Sequence, residues 1–71
     1  MAGQDGIEVE GRIAEVLPRM LFRVELANGH TLLGHVAAGG RRMAEGLAAG
    51  DMVTVRLSHY DLSRGRILMK K

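Results

Sequence analysis

Phe22-Arg23-Val24-Glu25-Leu26-Ala27-Asn28-Gly29-His30-Thr31-Leu32-Leu33-Gly34-His35-Val36 is the stretch that decides the fold. Phe22, Val24 and Leu26 alternate with Arg23 and Glu25, the period of a strand with one buried face. Asn28-Gly29 then sits between two apolar-alternating runs. That is the strongest short-range hairpin signal, because a type I′ turn needs positive φ at both central residues. A second strand over residues 30–36 follows, with Leu32 and Val36 on one face and Leu33 and His35 on the other. Gly34 marks a bend or a close backbone approach.

Upstream, Ile7, Val9, Gly11 and Ile13 alternate with Glu8, Glu10 and Arg12. Near Ala14 the phase slips and Val16 takes over the apolar register, which signals a bulge. Pro18-Arg19 ends this strand, and Met20 begins the run through Leu26. Downstream, residues 37–50 break the alternation. Ala37-Ala38-Gly39-Gly40 is flexible, and residues 41–47 suit a short helix with Met43 and Leu47 four apart on one face. Gly46 weakens that helix by roughly 1 kcal/mol relative to alanine. Gly50-Asp51 is a turn. A strand returns over residues 52–58 with Val53, Val55 and Leu57 inward, then a loop over 59–64. A last strand over 65–69 puts Ile67 and Met69 on one face.

The order is three strands, a short helix and two strands. Small sheets must hide their edges, and closure into a barrel does so. The expected class is therefore all-β: a five-stranded antiparallel OB-fold barrel with a short helix between strands 3 and 4. An SH3-like barrel is the runner-up, and it usually lacks a helix there. The domain, of S1-like type, covers residues 7–69. A flexible tail precedes it over 1–6, and a basic end follows at 70–71. Seventy-one residues allow one domain. Such a chain buries only about 60% of its unfolded surface.

Composition excludes several classes of chemistry. Cysteine is absent, which removes disulfides, thiol catalysis and cysteine-ligated zinc, and fits the cytoplasm. The start carries early acid and reads as no signal peptide, and no apolar run approaches the ~20 residues of a membrane helix. Ser58, His59 and Asp61 are neighbours in sequence, whereas a triad is an arrangement in space. They read as a polar loop. Glu8 and Glu10 share a strand face about 7 Å apart and read as a solvated face. His30 and His35 fall on opposite faces of a regular strand, without a third metal ligand. Gly39-Gly40 lacks the Lys-Ser/Thr of a phosphate loop. The expectation is no catalytic residue, no metal and no cofactor.

Charge points elsewhere. Residues 1–33 hold three arginines against five acids, and residues 34–71 hold seven Lys/Arg against three acids. The pI is about 9.7, within the range of basic nucleic-acid binders. Positive charge clusters at Arg41-Arg42 and at Arg64, Arg66, Lys70 and Lys71. Arginines outnumber lysines eight to two, and the planar guanidinium suits phosphate. Arg23 points away from the core face and can join the basic surface. Phe22 and Tyr60 are the only aromatics. Phe22 reads as core, while Tyr60 either seals one end of the barrel or stacks on a base. Few rings and many arginines favour docking on folded RNA by charge and shape over reading of single strands.

Specific strings carry a resemblance. Residues 7–11 with Leu17-Pro18, Phe22-Arg23-Val24-Glu25-Leu26, Asn28-Gly29-His30, His35, Gly50-Asp51 and Val53-Thr54-Val55 belong to it. So does Tyr60-Asp61-Leu62-Ser63-Arg64-Gly65-Arg66-Ile67. Together they resemble bacterial translation initiation factor one, over nearly the whole chain after residue 6. The resemblance implies a non-enzymatic cytoplasmic protein. Such a protein binds the small ribosomal subunit, through folded ribosomal RNA and a ribosomal protein, at the decoding A site. There it blocks premature tRNA entry and acts with the other two initiation factors. A monomer without membrane contact is expected. The expected RNA-binding residues are Arg23, Arg41, Arg42, Tyr60, Arg64, Arg66, Lys70 and Lys71. A general RNA chaperone of cold-shock type is the alternative, although that reading wants surface rings where Arg23 and Glu25 stand. Departures from the family gather in residues 37–49. Gly39 and Gly46 replace basic residues there, Ala44 replaces a tyrosine, and Glu45 adds an acid. Weaker ribosome binding or a specialised second copy are both open readings of that change.

Overall fold

The computed structural model describes residues 6–71. The tail expected over residues 1–6 lies outside the described residues except for Gly6, which opens the first strand. The elements are β1 (Gly6–Leu17), β2 (Leu21–Leu26), β3 (Thr31–His35), a single 3-10 turn (Ala38–Gly40), α1 (Arg41–Glu45), β4 (Met52–Ser58) and β5 (Asp61–Lys70). The strands close into a barrel in the order β1-β2-β3-β5-β4. The expected barrel is therefore present, with one difference in strand direction. β3 and β5 run parallel, through Leu33↔Arg64, Gly34↔Gly65 and His35↔Arg66. The reason is parity. Strand directions can alternate round a closed ring only if the number of strands is even, so five strands force one parallel pair.

β1 serves two neighbours. Its first half pairs with β4, from Gly6↔Ser58 to Arg12↔Met52. Its second half pairs with β2, from Gly11↔Leu26 to Leu17↔Leu21. The overlap covers Gly11 and Arg12. At Gly11 a Cβ would lie 2.5 Å from Val24 Cγ1, so this corner needs glycine. The expected bulge is present between Ile13 and Glu15. It brings Ile13 and Val16 to the same face, opposite Val24 and Phe22. Val16 nevertheless stays half exposed, one residue from the end of its strand.

The core is Ile13, Phe22, Val24, Leu32, Val53, Val55, Leu57 and Ile67, completed by Ala44 and Leu47 from the helical connection. The helix ends at Glu45 rather than 47 because Gly46 leaves it, with its N–H bonded back to Met43 O. Leu47 still reaches the core.

The expected type I′ turn is not at Asn28-Gly29. At Asn28-Gly29 only Gly29 has positive φ. Gly29 N donates to Leu26 O, and Leu26 N donates to His30 O. This is a three-residue hairpin loop with glycine in the left-handed position. Positive φ at two successive residues occurs instead at Arg19 (65°) and Met20 (59°), between β1 and β2. The last strand is also longer than expected. Residues 61–64 are strand rather than loop, and the turn after β4 shrinks to His59 and Tyr60.

Candidate nucleic-acid interface

Strand alternation puts Arg64 and Arg66 on the outer face of β5, on either side of buried Gly65. A Cβ on Gly65 would stand 2.5 Å from Val55 Cγ1 and 2.6 Å from Leu57 Cδ2. Glycine here lets β5 lie close on β4 and brings both guanidinium groups up to the neighbouring strands. Register then sets who stands beside them. Across the sheet, His35, Arg66, Arg56 and Glu8 form one outward row. Glu15, Arg23, Leu33 and Arg64 form the next. Strands are about 4.8 Å apart, so each row is a line of immediate neighbours.

An open groove of about 530 Å³ runs along this face, lined in part by His35, Arg56, Tyr60, Arg64 and Arg66. Its rim is a turn built by local side chains. Ser58 Oγ accepts from Tyr60 N at 3.0 Å. Asp61 Oδ1 accepts from Ser63 N at 3.0 Å and from Ser63 Oγ at 2.5 Å. These two bonds from Ser63, hydroxyl first, hold the Asp61 carboxyl below the usual carboxylate range. Arg64 adds a smaller pull in the same direction, against slight desolvation. Tyr60 stands at the tip, 89% exposed, so it does not seal the barrel. On the other side, His30 Nε2 donates to Leu62 O at 2.8 Å, tying the β2–β3 hairpin to the start of β5.

The cations differ in whether a carboxylate already holds them. Arg56 is paired with Glu8 at 2.7 Å and Arg23 with Glu15 at 2.5 Å. Arg41 meets Glu45 at 3.4 Å, Lys70 meets Asp51 at 3.4 Å, and Lys71 meets Glu10. Arg12 lies 3.7 Å from Glu25. Among the described residues, Arg19, Arg42, Arg64 and Arg66 have no ion-pair partner. Arg64 and Arg66 are the two of these that share the groove.

Of the residues expected from sequence, the structure thus gathers Tyr60, Arg64 and Arg66 into one groove. Arg23 lies beside it in the next row. Arg41 and Arg42 lie apart on α1, and Lys70 and Lys71 lie at the far end of β5. β5 runs through Lys70, and Lys71 N donates to Met52 O. Two groove residues, His35 and Arg56, were missed. The signal for Arg56 was present, since inward Val55 and Leu57 force it outward. Outward positions of β2 and β3 carry Arg23 and Leu33 rather than rings, unlike a stacking platform. Among the described residues no cluster of three or more His, Cys, Asp or Glu could hold a metal. Among them, too, no helix is long and apolar enough to cross a membrane.

A closed five-stranded barrel with a helix after its third strand defines an OB-fold, and an arginine-lined outer face is the charge pattern of a nucleic-acid binder. The family model for eIF-1a, translation initiation factor 1A / IF-1, matches residues 1–71, and the chain belongs to that family of translation initiation factors. It is also similar to the solution structure of translation initiation factor one from the Wolbachia endosymbiont strain TRS of Brugia malayi. The two are 37% identical with a TM-score of 0.76, over 96% of this chain and 80% of that one.

Proposed function

We propose that the chain binds the small ribosomal subunit at the decoding A site, blocks premature tRNA entry there, and acts with the other two initiation factors. It works as a monomeric binder rather than a catalyst. The observation that carries this reading is the pair Arg64 and Arg66, without an ion-pair partner among the described residues, in a groove on the barrel of an initiation factor. Guanidinium groups not already paired meet phosphate without first giving up a carboxylate.

In this reading Arg64 and Arg66 take phosphates of folded ribosomal RNA, and Tyr60 offers a ring at the tip of the turn. Arg23 contributes from the margin and Arg42 from α1. Arg23, Arg41, Lys70 and Lys71 contribute less, because each faces an acid in the free protein. A ribosomal protein completes the contact.

Co-sedimentation with purified small subunits tests it, with tRNA bound at the A site as competitor. The protein should pellet with subunits, and A-site tRNA should displace it. Binding that is indifferent to A-site tRNA overturns the placement. A failure to pellet overturns ribosome binding altogether.

A further inference from the structure

The two outward rows share a pattern: each runs from an arginine on β5 with no ion-pair partner among the described residues to a carboxylate on β1. On one side of β5, Arg64 is followed across the sheet by Leu33, Arg23 and Glu15. On the other, Arg66 is followed by Arg56 and Glu8. Both flanking arginines are held by those carboxylates, at 2.5 and 2.7 Å. All four side chains of the two pairs are about half exposed, so each pair is open to exchange with a competing anion. The residues in each pair are brought together by the register of the closed barrel, β1 against β2 in one case and β1 against β4 in the other.

We infer that Glu15 and Glu8 are specificity-determining residues of this face. They confine the uncompensated charge to a strip along β5 and keep Arg23 and Arg56 from engaging phosphates indiscriminately. This rests on the proposed RNA-binding role of the face. The discrimination comes from the ligand's flexibility. An unstructured strand can shift its phosphates onto every available cation, so its affinity follows the number of free arginines. A folded RNA surface presents phosphates at fixed positions and gains only from cations already in register with them. Tying up the flanking arginines therefore weakens binding to flexible strands more than binding to the folded partner. The device discriminates by repulsion and occupancy rather than by an added attraction.

The test uses the full chain with Glu8→Gln, Glu15→Gln and the double change, and Glu10→Gln as control. The control adds the same charge as either single change but releases Lys71 at the far end of β5. The probes are a fluorescent unstructured oligouridylate at two salt concentrations and purified small subunits. Circular dichroism melting confirms folding. For the double variant, oligouridylate affinity should rise about tenfold, and the slope of log affinity against log salt should steepen by about 1.4, the value for two added single-strand phosphate contacts. Subunit affinity should rise by less than about threefold, and Glu10→Gln, which frees a lysine away from the groove, should raise oligouridylate affinity by less than either single change. Unchanged oligouridylate affinity and slope in the double variant would overturn the inference. So would a gain for Glu10→Gln equal to that of the single changes, or an equal gain on the subunit. The oligouridylate measurement stands by itself. If wild-type protein fails to bind subunits, the ribosomal reading falls, while the role of Glu8 and Glu15 is still decided by that measurement.

Discussion

Arg66→Ala is the substitution that separates the proposed interface from a merely basic surface. Arg66 stands in register between His35 and Arg56, outside the core and without a carboxylate partner among the described residues. Truncation should leave the barrel intact. A hydrogen bond to a charged group contributes roughly 1.5–3 kcal/mol net, so the loss of subunit affinity should be about 10- to 150-fold. Arg56→Ala offers an internal comparison. Arg56 must leave Glu8 before it can meet a phosphate, and an exposed pair of this kind is worth about 0.2–1 kcal/mol. Its truncation should therefore cost several-fold less than that of Arg66. Arg12→Ala removes the same charge outside the groove and should cost less than about threefold if only long-range attraction is lost. The assay is equilibrium binding to purified small subunits at two salt concentrations, with melting temperature as the check on folding. Equal losses for Arg66→Ala and Arg12→Ala would refute the reasoning, because net charge alone would then account for binding.

Three further outcomes are expected. Gly65→Ala places a methyl group within 2.6 Å of both Val55 and Leu57 side chains; overpacking of this kind costs about 1–3 kcal/mol and should lower the melting temperature by about 4–8 °C per kcal/mol, whereas an unchanged transition would contradict the close β4–β5 approach. Arg19→Gly removes a left-handed penalty of roughly 1–2 kcal/mol but adds unfolded-state freedom worth about 0.4–1 kcal/mol. Urea denaturation should show a modest net gain in stability, and a clear loss would mean that Arg19 makes a contact outweighing its strain. The lowered Asp61 value means that its carboxylate favours the folded state at neutral pH. That contribution is fully present above the usual aspartate range and is lost as pH falls through the lower folded value. A carbon-13 titration of the Asp61 carboxyl should give a midpoint below that of free aspartate, and a midpoint at or above it would rule out the Ser63 bonds.

Strand positions were legible because burial writes a period of two into them, as at Val53, Val55 and Leu57. The bulge near Ala14 was legible for the same reason, as a break in that period. Turn geometry was less so. Asn28-Gly29 located a hairpin, but its loop has three residues, and only Gly29 carries the positive φ. At Arg19 and Met20 no local preference predicts a left-handed backbone. The tight hairpin imposes it, with Leu17 paired to Leu21 and Leu21 N donating to Pro18 O across Arg19 and Met20. Residues 61–64 looked like loop because both their faces are wet at this end of the barrel. The arginines of β5 could be picked out from composition and alternation. Which of them are already neutralised could not, since Glu8 meets Arg56 and Glu15 meets Arg23 only after folding aligns the strands.

The parallel contact between β3 and β5 spans three residue pairs, fewer than any other strand contact in the barrel. Two of those pairs contain Arg64 and Arg66. The groove's charge is thus laid across the zipper that closes the cylinder, so a molecule with this zipper parted has no assembled docking face. Any ligand that clasps both sides of it acts as a fastener, favouring the shut form by mass action. Amide protons along residues 33–35 and 64–66 should consequently exchange more slowly in the bound protein than in the free one. Excising β5 would remove the zipper together with the cations that a fastener grips.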